Sequence, residues 1–272
     1  MAIGTFTRYE LKYVIGIEQM EAFIPMIANL VELDSHCGDG LAYPIYNIYF
    51  DTRDSCFIRR SLSYPDYKEK LRMRCYGKPE GGNGLVFLEI KKKILGTVNK
   101  RRAAMTLDEA KSFVRTGKGP QVGGYLNNQV IHEISNFLAY NEVYPAAFVG
   151  YRRMAYTGTK EKDLRVTFDT DIITRRTDLS LDVEPYGKPL LPEGKALMEV
   201  KFSRAVPLWL ASAMSECRIY KTGFSKYGRE YERACTEGAS EVPAARHSAP
   251  QAKGLRGAAQ RRRISTRRSV SI

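Results

Sequence analysis

The chain has 272 residues, of which 43% are hydrophobic, and it carries 43 lysines and arginines against 30 aspartates and glutamates. This length and apolar content exclude a wholly disordered chain and allow a sizeable core, in one large domain or two small ones. The formal net charge of +13 favours a polyanionic partner, and charge alone leaves open nucleic acid, phosphate or a membrane surface.

The cysteines and the N-terminus indicate the cellular compartment. The five cysteines are an odd number and form no C-x-x-C pair, which favours free thiols in a reducing cytosol over a disulfide framework or a zinc site. The N-terminus lacks the apolar core of a signal peptide, and no stretch approaches the roughly 18 apolar residues of a membrane span. We therefore expect a cytoplasmic protein without a membrane span.

Alternation of apolar and polar residues with a period of two predicts eight strands. In chain order they cover residues 6–15, 44–51, 67–77, 84–94, 98–105, 146–157, 163–173 and 196–203. Asn83 and Gly84 predict a hairpin between the third and fourth strands. Helices are predicted over 17–33, over 107–115 after a capping box, over 125–140 and over 207–217. The fold class is α+β: eight mostly antiparallel strands, a number at which a sheet can close into a barrel, with peripheral helices.

One domain over residues 4–235 is expected, followed by a disordered basic tail over 236–272. The tail consists largely of Ala, Ser, Pro, Gly and Arg, so it has too few large apolar residues to offset the entropy of ordering. Its segment RRRISTRR is expected to contact polyanions nonspecifically.

Six of the predicted strands pair a charged face with an apolar one. Residues two apart on a strand point to the same side, so Arg8, Glu10 and Lys12 share a face in the first strand. The same rule groups charged residues in five later strands: Arg72 with Arg74, Glu89 with Lys91, Lys100 with Arg102, Arg165 with Asp169, and Glu199 with Lys201.

Two interpretations of this charged face remain open. Taken strand by strand, the alternation is typical of a sheet with one face on the core and the other in water. Taken together, the repeated arginines and lysines favour a barrel whose lumen binds an anion. Arg offers planar bidentate contacts and Lys a point charge, so a phosphate chain is the expected occupant. The isolated carboxylates would then bind a divalent metal or form internal salt bridges, with Glu199 the preferred metal ligand, followed by Glu10 and Glu89.

Nine segments in order resemble one known family over roughly residues 5–231. They read RYELKY, YFDT, KLRMRCYG, FLEIKKK, NKRRA, YRRMAY, LRVTFDTDI, LMEVKF and GFSKYGR. These motifs are similar to the VTC-type polyphosphate polymerase domain of the CYTH, or triphosphate tunnel metalloenzyme, superfamily. The resemblance implies an eight-stranded antiparallel tunnel that transfers the γ-phosphate of ATP to a growing polyphosphate chain, with a divalent metal, Mn²⁺ or Mg²⁺.

The resemblance also implies roles for individual residues. The expected catalytic cations are Lys12, Arg72, Arg74, Lys91, Lys100, Arg152 or Arg153, Arg165 and Lys201. Arg8, Ser225 and Lys226 are expected to bind phosphate, the last two in a loop at one tunnel mouth. Family members often carry a further lysine two residues before that serine, where this chain has Gly223. Glu199 corresponds to the metal-binding glutamate.

Two other functions fit the sequence. An enzyme of the same architecture could hydrolyse inorganic triphosphate or tripolyphosphate, since the tunnel arginines suit that reaction equally. A non-catalytic protein could bind polyphosphate or nucleic acid through its basic tail. Product analysis with ATP distinguishes the first from a polymerase, and deletion of residues 236–272 distinguishes the second.

Overall fold

The structure, a computed structural model, describes residues 9–38, 42–63, 66–95, 97–121 and 125–239. Its strands are β1 Tyr9–Gly16, β2 Val31–Leu33, β3 Tyr43–Asp51, β4 Tyr67–Tyr76, β5 Leu85–Ile94, β6 Thr97–Thr106, β7 Tyr144–Gly158, β8 Arg165–Arg175, β9 Lys188–Pro189 and β10 Lys195–Phe202. Its helices are α1 Ile17–Ile27, α2 Cys56–Ser63, α3 Leu107–Thr116, α4 Tyr125–Tyr140, α5 Leu208–Glu216 and α6 Lys226–Ala239.

Eight of these strands form one curled antiparallel sheet in the order β1-β10-β8-β7-β3-β4-β5-β6. The short β2 and β9 pair with β7 and β8. The curl is strong enough to bring opposite ends of the order together, because Lys91 on β5 lies 3.7 Å from Glu10 on β1. The predicted α+β class with eight main antiparallel strands is confirmed. Within the described residues the sheet is a half-barrel, in which β1 and β6 are the ends of the hydrogen-bonded order.

The convex face of the sheet is apolar and lies under helices. Phe113 of α3 and Ile134 of α4 are fully buried in one cluster with Leu88 of β5. Phe23 of α1 belongs to a second cluster, with Met198 of β10 and with Leu210 of α5. Each large apolar side chain buried in this way contributes about 1.5–3 kcal/mol. The apolar strand faces are thus covered on the outside, and the charged faces line the concave side.

The capping box predicted before α3 is present and fixes where that helix begins. Thr106 Oγ1 accepts a hydrogen bond from the Glu109 backbone N–H at 3.2 Å, and the Glu109 carboxylate accepts one from the Thr106 N–H at 2.8 Å. The helix ends at Gly117, whose φ of 71° is a left-handed conformation that glycine adopts without strain.

The prediction of a helix over 17–33 is wrong in its second half, because α1 ends at Ile27 and residues 31–33 form β2. The apolar residue Val31, which the prediction assigned to the helix, lies in the second core cluster on β2, which pairs with β7. Helices α2 and α6 are absent from the sequence prediction. No helix in the described part of the chain is both long and apolar enough to span a membrane.

Helix α6 runs to Ala239, past residue 236, where the tail was predicted to begin. The remainder of the predicted tail lies outside the described residues, and so does Arg8.

Candidate active site

The concave face of the sheet carries a dense set of charges, here called the charged cleft. All eight main strands and the start of α6 surround it. Within the described residues the charged cleft contains nine cations and four carboxylates: Lys12, Lys70, Arg72, Arg74, Lys91, Lys100, Arg153, Lys201 and Lys226, with Glu10, Glu89, Asp169 and Glu199. The formal excess is therefore positive, as expected of a surface that binds anions.

Glu199 lies at the centre of one wall. Its carboxylate is 3.2 Å from the ammonium of Lys12 and 3.2 Å from that of Lys201, with Lys226 at 3.4 Å and Arg153 at 3.6 Å. Burial alone would raise the pKa of Glu199, but attraction to Lys226, Lys12, Lys201 and Arg153 outweighs it and holds that pKa well below its usual range. The carboxylate is therefore ionised at neutral pH.

Asp169 fixes two cations beneath Glu199. Arg153 binds it with both guanidinium arms, at 2.6 and 2.7 Å, from the position directly across β7 and β8. Lys226 approaches the same carboxylate to 2.5 Å from the first turn of α6. Asp169 is fully buried, so these ion pairs are strong and costly to disrupt.

The opposite wall is organised around Glu89. Arg72 lies 2.6 Å from one of its carboxylate oxygens and Lys100 lies 2.9 Å from the other. Burial would raise the pKa of Glu89, yet attraction to Arg72, Arg74 and Lys100 lowers it instead. For Lys100, burial and then repulsion from Arg72 lower the pKa to about 8 despite the contact with Glu89.

Arg74 and Lys70 differ from the other cations, because neither lies within ion-pair distance of a carboxylate in the described part of the chain. Arg74 is only 5% exposed and donates to two neutral oxygens, Asn47 Oδ1 at 2.8 Å and the Tyr151 hydroxyl at 3.2 Å. Lys70 donates to Ser225 Oγ at 3.3 Å. An anion entering the charged cleft would gain most from these two groups, whose charge is not already neutralised.

The start of α6 closes one side of the charged cleft. Ser225 precedes the helix, and its hydroxyl accepts a hydrogen bond from the Gly228 N–H at 3.1 Å, as a helix cap does. Tyr227 stacks on Tyr49 with ring centroids 4.7 Å apart. The Tyr227 hydroxyl donates to the buried Asp51 at 2.9 Å. These contacts hold Ser225 and Lys226 beside the cations of the sheet.

The structure brings most of the sequence-predicted residues together. Arg165 lies at the margin, where it pairs with Asp34 at 2.6 Å, and Lys91 reaches Glu10 across the cleft. Of the alternatives Arg152 and Arg153, only Arg153 belongs to the cleft. Arg152 is exposed and donates to the Ala42 carbonyl at 3.0 Å, because consecutive strand residues point to opposite faces.

Sequence reasoning did not select Lys70 or Asp169 as site residues. The rule of alternating faces reaches both residues: Lys70 is two residues before Arg72, and Asp169 was grouped with Arg165 on the charged face but was given no role in the site. Their roles depend on contacts with α6, which the sequence does not reveal.

The predicted metal ligands meet only part of the requirement for a divalent cation. No group of three or more His, Cys, Asp or Glu side chains suited to a metal occurs in the described part of the chain. Glu10 and Glu199 nevertheless share the ammonium of Lys12, at 3.0 and 3.2 Å, so two carboxylates lie close together. Carboxylate oxygens are the ligands that Mg²⁺ and Mn²⁺ prefer. Glu89, on the opposite wall, is neutralised by Arg72 and Lys100 and does not join them.

The lowered pKa of Lys70 predicts a pH dependence of anion binding. Burial and repulsion from Lys12, Lys91 and Lys68 lower this pKa to about 8, so the empty protein loses the Lys70 proton as the pH rises through 8. The unfolded chain keeps that proton up to about pH 10. Between about pH 8 and pH 10, loss of the Lys70 proton therefore raises the free energy of unfolding of the anion-free protein as the pH rises. Phosphate favours the charged form, and tripolyphosphate affinity should therefore fall as the pH rises through about 8.

Calorimetric titration at several pH values measures this fall, which we expect to be shallower in Lys70→Met. The exposed Lys160 offers a matched control, and Lys160→Met should retain the wild-type profile. Identical profiles for Lys70→Met and the wild type would show that Lys70 does not contact the anion.

A curled antiparallel half-barrel with a cation-rich concave face defines a protein of the triphosphate tunnel fold. The family model of the VTC domain matches residues 7–234, and the chain belongs to this family.

Two solved structures of low sequence identity align with most of this chain. A candidate adenylate cyclase from Vibrio parahaemolyticus is 11% identical, with a TM-score of 0.46 over 83% of this chain and 98% of that one. A candidate adenylate cyclase from Bacillus halodurans is 13% identical, with a TM-score of 0.45 over 80% of this chain and 95% of that one. No curated protein matches the sequence significantly.

Proposed function

We propose that the protein is a polyphosphate polymerase that transfers the γ-phosphate of ATP to the end of an inorganic polyphosphate chain within the charged cleft. The observation that carries this proposal is the excess of cations over carboxylates in the charged cleft, above all the buried Arg74, which has no carboxylate partner in the described residues. A buried, unneutralised guanidinium is costly unless an anion binds it. Membership of the VTC family supports a phosphate chain as that anion.

The reaction requires no nucleophile from the protein. A terminal oxygen of the polyphosphate chain attacks the γ-phosphorus of ATP, one P–O bond forms, the bond to the β-phosphate oxygen breaks, and ADP leaves. Arg72, Arg74 and Arg153 would hold the two phosphate groups in line and stabilise the negative charge that develops on the transferred group. The terminal phosphate is already an anion, so no general base is needed.

A divalent cation, Mn²⁺ or Mg²⁺, belongs to the proposal. Glu10 and Glu199 would supply two oxygen ligands, and phosphate oxygens would supply others. When bound, the metal would neutralise charge on those phosphate oxygens. In the protein alone, Lys12 bridges the two carboxylates.

We expect Glu199→Gln to weaken Mn²⁺ binding to the tripolyphosphate complex by at least about tenfold, because the amide keeps the shape but loses the charge a hard cation requires. Calorimetric titration of Mn²⁺ measures the effect. Glu89→Gln is the matched control, since its carboxylate lies on the other wall. Equal Mn²⁺ affinity in Glu199→Gln and the wild type would make Glu199 a salt-bridge partner only.

Incubation of the protein with ATP and Mn²⁺ or Mg²⁺, followed by electrophoresis, tests the proposed reaction. Long phosphate chains that require ATP and disappear on chelation support it. Release of inorganic phosphate from ATP or tripolyphosphate without chains would favour a hydrolase and overturn it. The chain ending at Ala239 should keep the activity. If the shortened chain folds but has lost the activity, the alternative of polyanion binding through the tail would be favoured.

Ligand binding should also stabilise the fold. Tripolyphosphate binds only the folded cleft, so at about a hundred times its dissociation constant it should add about 2.7 kcal/mol to the free energy of unfolding. For a domain of this size that is a rise in melting temperature of roughly 5–10 °C. The rise should persist in the chain ending at Ala239 and shrink in Arg72→Ala with Lys91→Ala. An unchanged melting temperature at physiological salt would contradict binding in the charged cleft.

A further inference from the structure

Four aromatic rings form a cluster at one end of the concave face, here called the aromatic patch: His36, Tyr43, Tyr76 and Phe87. The ring centroids of His36 lie 5.9 Å from Tyr43 and 6.0 Å from Tyr76. Tyr43 and Tyr76 are 6.1 Å apart, and Phe87 packs edge-on to Tyr76 at 5.7 Å. The sequence prediction assigned no function to this cluster.

The aromatic patch adjoins the cations that the proposed reaction uses. Phe87 is the direct cross-strand partner of Arg74 between β4 and β5, and Tyr43 is the partner of Arg153 between β3 and β7. Directly opposed residues in antiparallel strands are about 4.5–5.5 Å apart between Cα atoms. Tyr76 follows Arg74 by two residues, so it lies on the same face, roughly 7 Å further along the strand.

These rings are not all buried by the fold. Tyr76 is 40% exposed, and the side chain of His36 is 65% exposed. By contrast, Tyr49, Tyr151 and Tyr227, deeper in the concavity, are each at most 8% exposed. A further cation borders the aromatic patch, since the guanidinium of Arg102 lies 4.8 Å from the centre of the Phe87 ring. Aromatic surface left open beside a phosphate site suits a ligand that joins a flat ring to a phosphate chain.

We propose that the aromatic patch stacks the base of the nucleoside triphosphate whose phosphates occupy the charged cleft, an inference that rests on the proposed function. The base would lie against Tyr76 and its neighbours, with the phosphates running inward to Arg74 and Arg153. Stacking contacts the face of a base and not its hydrogen-bonding edges, so it tolerates different bases. The aromatic patch therefore favours a nucleotide over a bare phosphate chain and discriminates little between adenine and guanine.

The test compares ligands with and without a base. Dissociation constants for ATP, GTP and tripolyphosphate are measured by calorimetry on the wild type and on Tyr76→Ala, with the 88% exposed Tyr140 replaced in a control, Tyr140→Ala. We expect Tyr76→Ala to weaken ATP and GTP about tenfold and to leave tripolyphosphate unchanged. Tyr76→Phe should restore ATP affinity, and Tyr140→Ala should change none of the three.

The outcomes separate the two proposals. If the wild type binds neither ATP nor tripolyphosphate, the proposed function fails and the inference falls with it. If both ligands bind and Tyr76→Ala weakens them equally or not at all, the inference alone is overturned. His36→Ala, at a still more exposed ring, provides a second variant should Tyr76→Ala fail to fold, and the same difference between ATP and tripolyphosphate is expected of it.

Discussion

Replacing Arg74 with methionine is expected to lower the rate of ATP-dependent polyphosphate synthesis by about a hundredfold to a thousandfold, the range typical for loss of one preorganised charge-stabilising donor. Arg74 is buried, and its guanidinium is oriented by Asn47 and Tyr151. It makes no ion pair in the described part of the chain, so its charge remains available to the transferred phosphate. Methionine keeps an unbranched, apolar stem and removes only that charged group.

The matched control is Arg152→Met. Arg152 belongs to the same family motif as Arg153, but it is exposed outside the cleft and bonds the Ala42 carbonyl. We expect near wild-type turnover, while Arg74→Met together with Arg72→Ala should abolish synthesis. Initial rates at saturating ATP, with circular dichroism to verify folding, measure both effects. Wild-type turnover in folded Arg74→Met would show that the reaction does not take place in the charged cleft.

The strand pattern could be predicted because each strand has two chemically different faces. Every one of the eight predicted ranges overlaps a main strand, and β5 illustrates the reason: Leu88 and Ile90 are buried outside while Glu89 and Lys91 face inward. Residues also alternate between the two faces in the longest strand, β7, although its pairing with β8 is interrupted by a bulge between Gly150 and Arg152.

Helices α2 and α6 could not be predicted for a physical reason. Helix α2 has only 8 residues, too few to show a helical repeat. The sequence of α6 is rich in charge and contains two glycines, which disfavour helix. Its stability comes from tertiary contacts instead, since Tyr227 packs on Tyr49 and Arg176 binds Glu230 with both guanidinium arms.

Part of the site was predictable and part was not. Alternation alone placed Lys12, Arg72 and Glu199 on the charged face of their strands, because that property is local to each strand. Which cations remain unneutralised depends on distant partners. Lys226 and Asp169 are 57 residues apart in the chain, and no local pattern indicates that they meet.

The three recurring glutamates have the same role in the charged cleft. Glu10, Glu89 and Glu199 each contact two or more cations, which limits the repulsion between lysines and arginines that line one concavity. The cations are thereby held in place before any ligand arrives. Such preorganisation is what electrostatic stabilisation of a transition state requires.

Asp169→Asn is expected to reduce the free energy of unfolding by about 3–5 kcal/mol, because two buried cations, Arg153 and Lys226, lose their nearest carboxylate and keep only Glu199, at 3.6 and 3.4 Å. Burial would raise the pKa of Asp169, but attraction to Arg153 and Lys226 lowers it, so the group is charged at neutral pH and its removal takes away a full negative charge. Urea denaturation measures the loss. The exposed pair of Asp182 and Lys111 provides a control, and Asp182→Asn should cost no more than about 1 kcal/mol.

A second substitution tests the cause of that loss. If uncompensated charge is responsible, adding Lys226→Met to Asp169→Asn should recover part of the stability, although it removes a further contact, because one buried cation then disappears with the carboxylate. Glu199 can still neutralise Arg153, which lies 3.6 Å from it. A double variant less stable than Asp169→Asn would mean that Lys226 stabilises α6 mainly through its cation–π contact with the Tyr151 ring, 4.5 Å away, and not through Asp169. Tripolyphosphate should raise the free energy of unfolding of Asp169→Asn more than that of the wild type, since a bound anion supplies the negative charge that the aspartate provided.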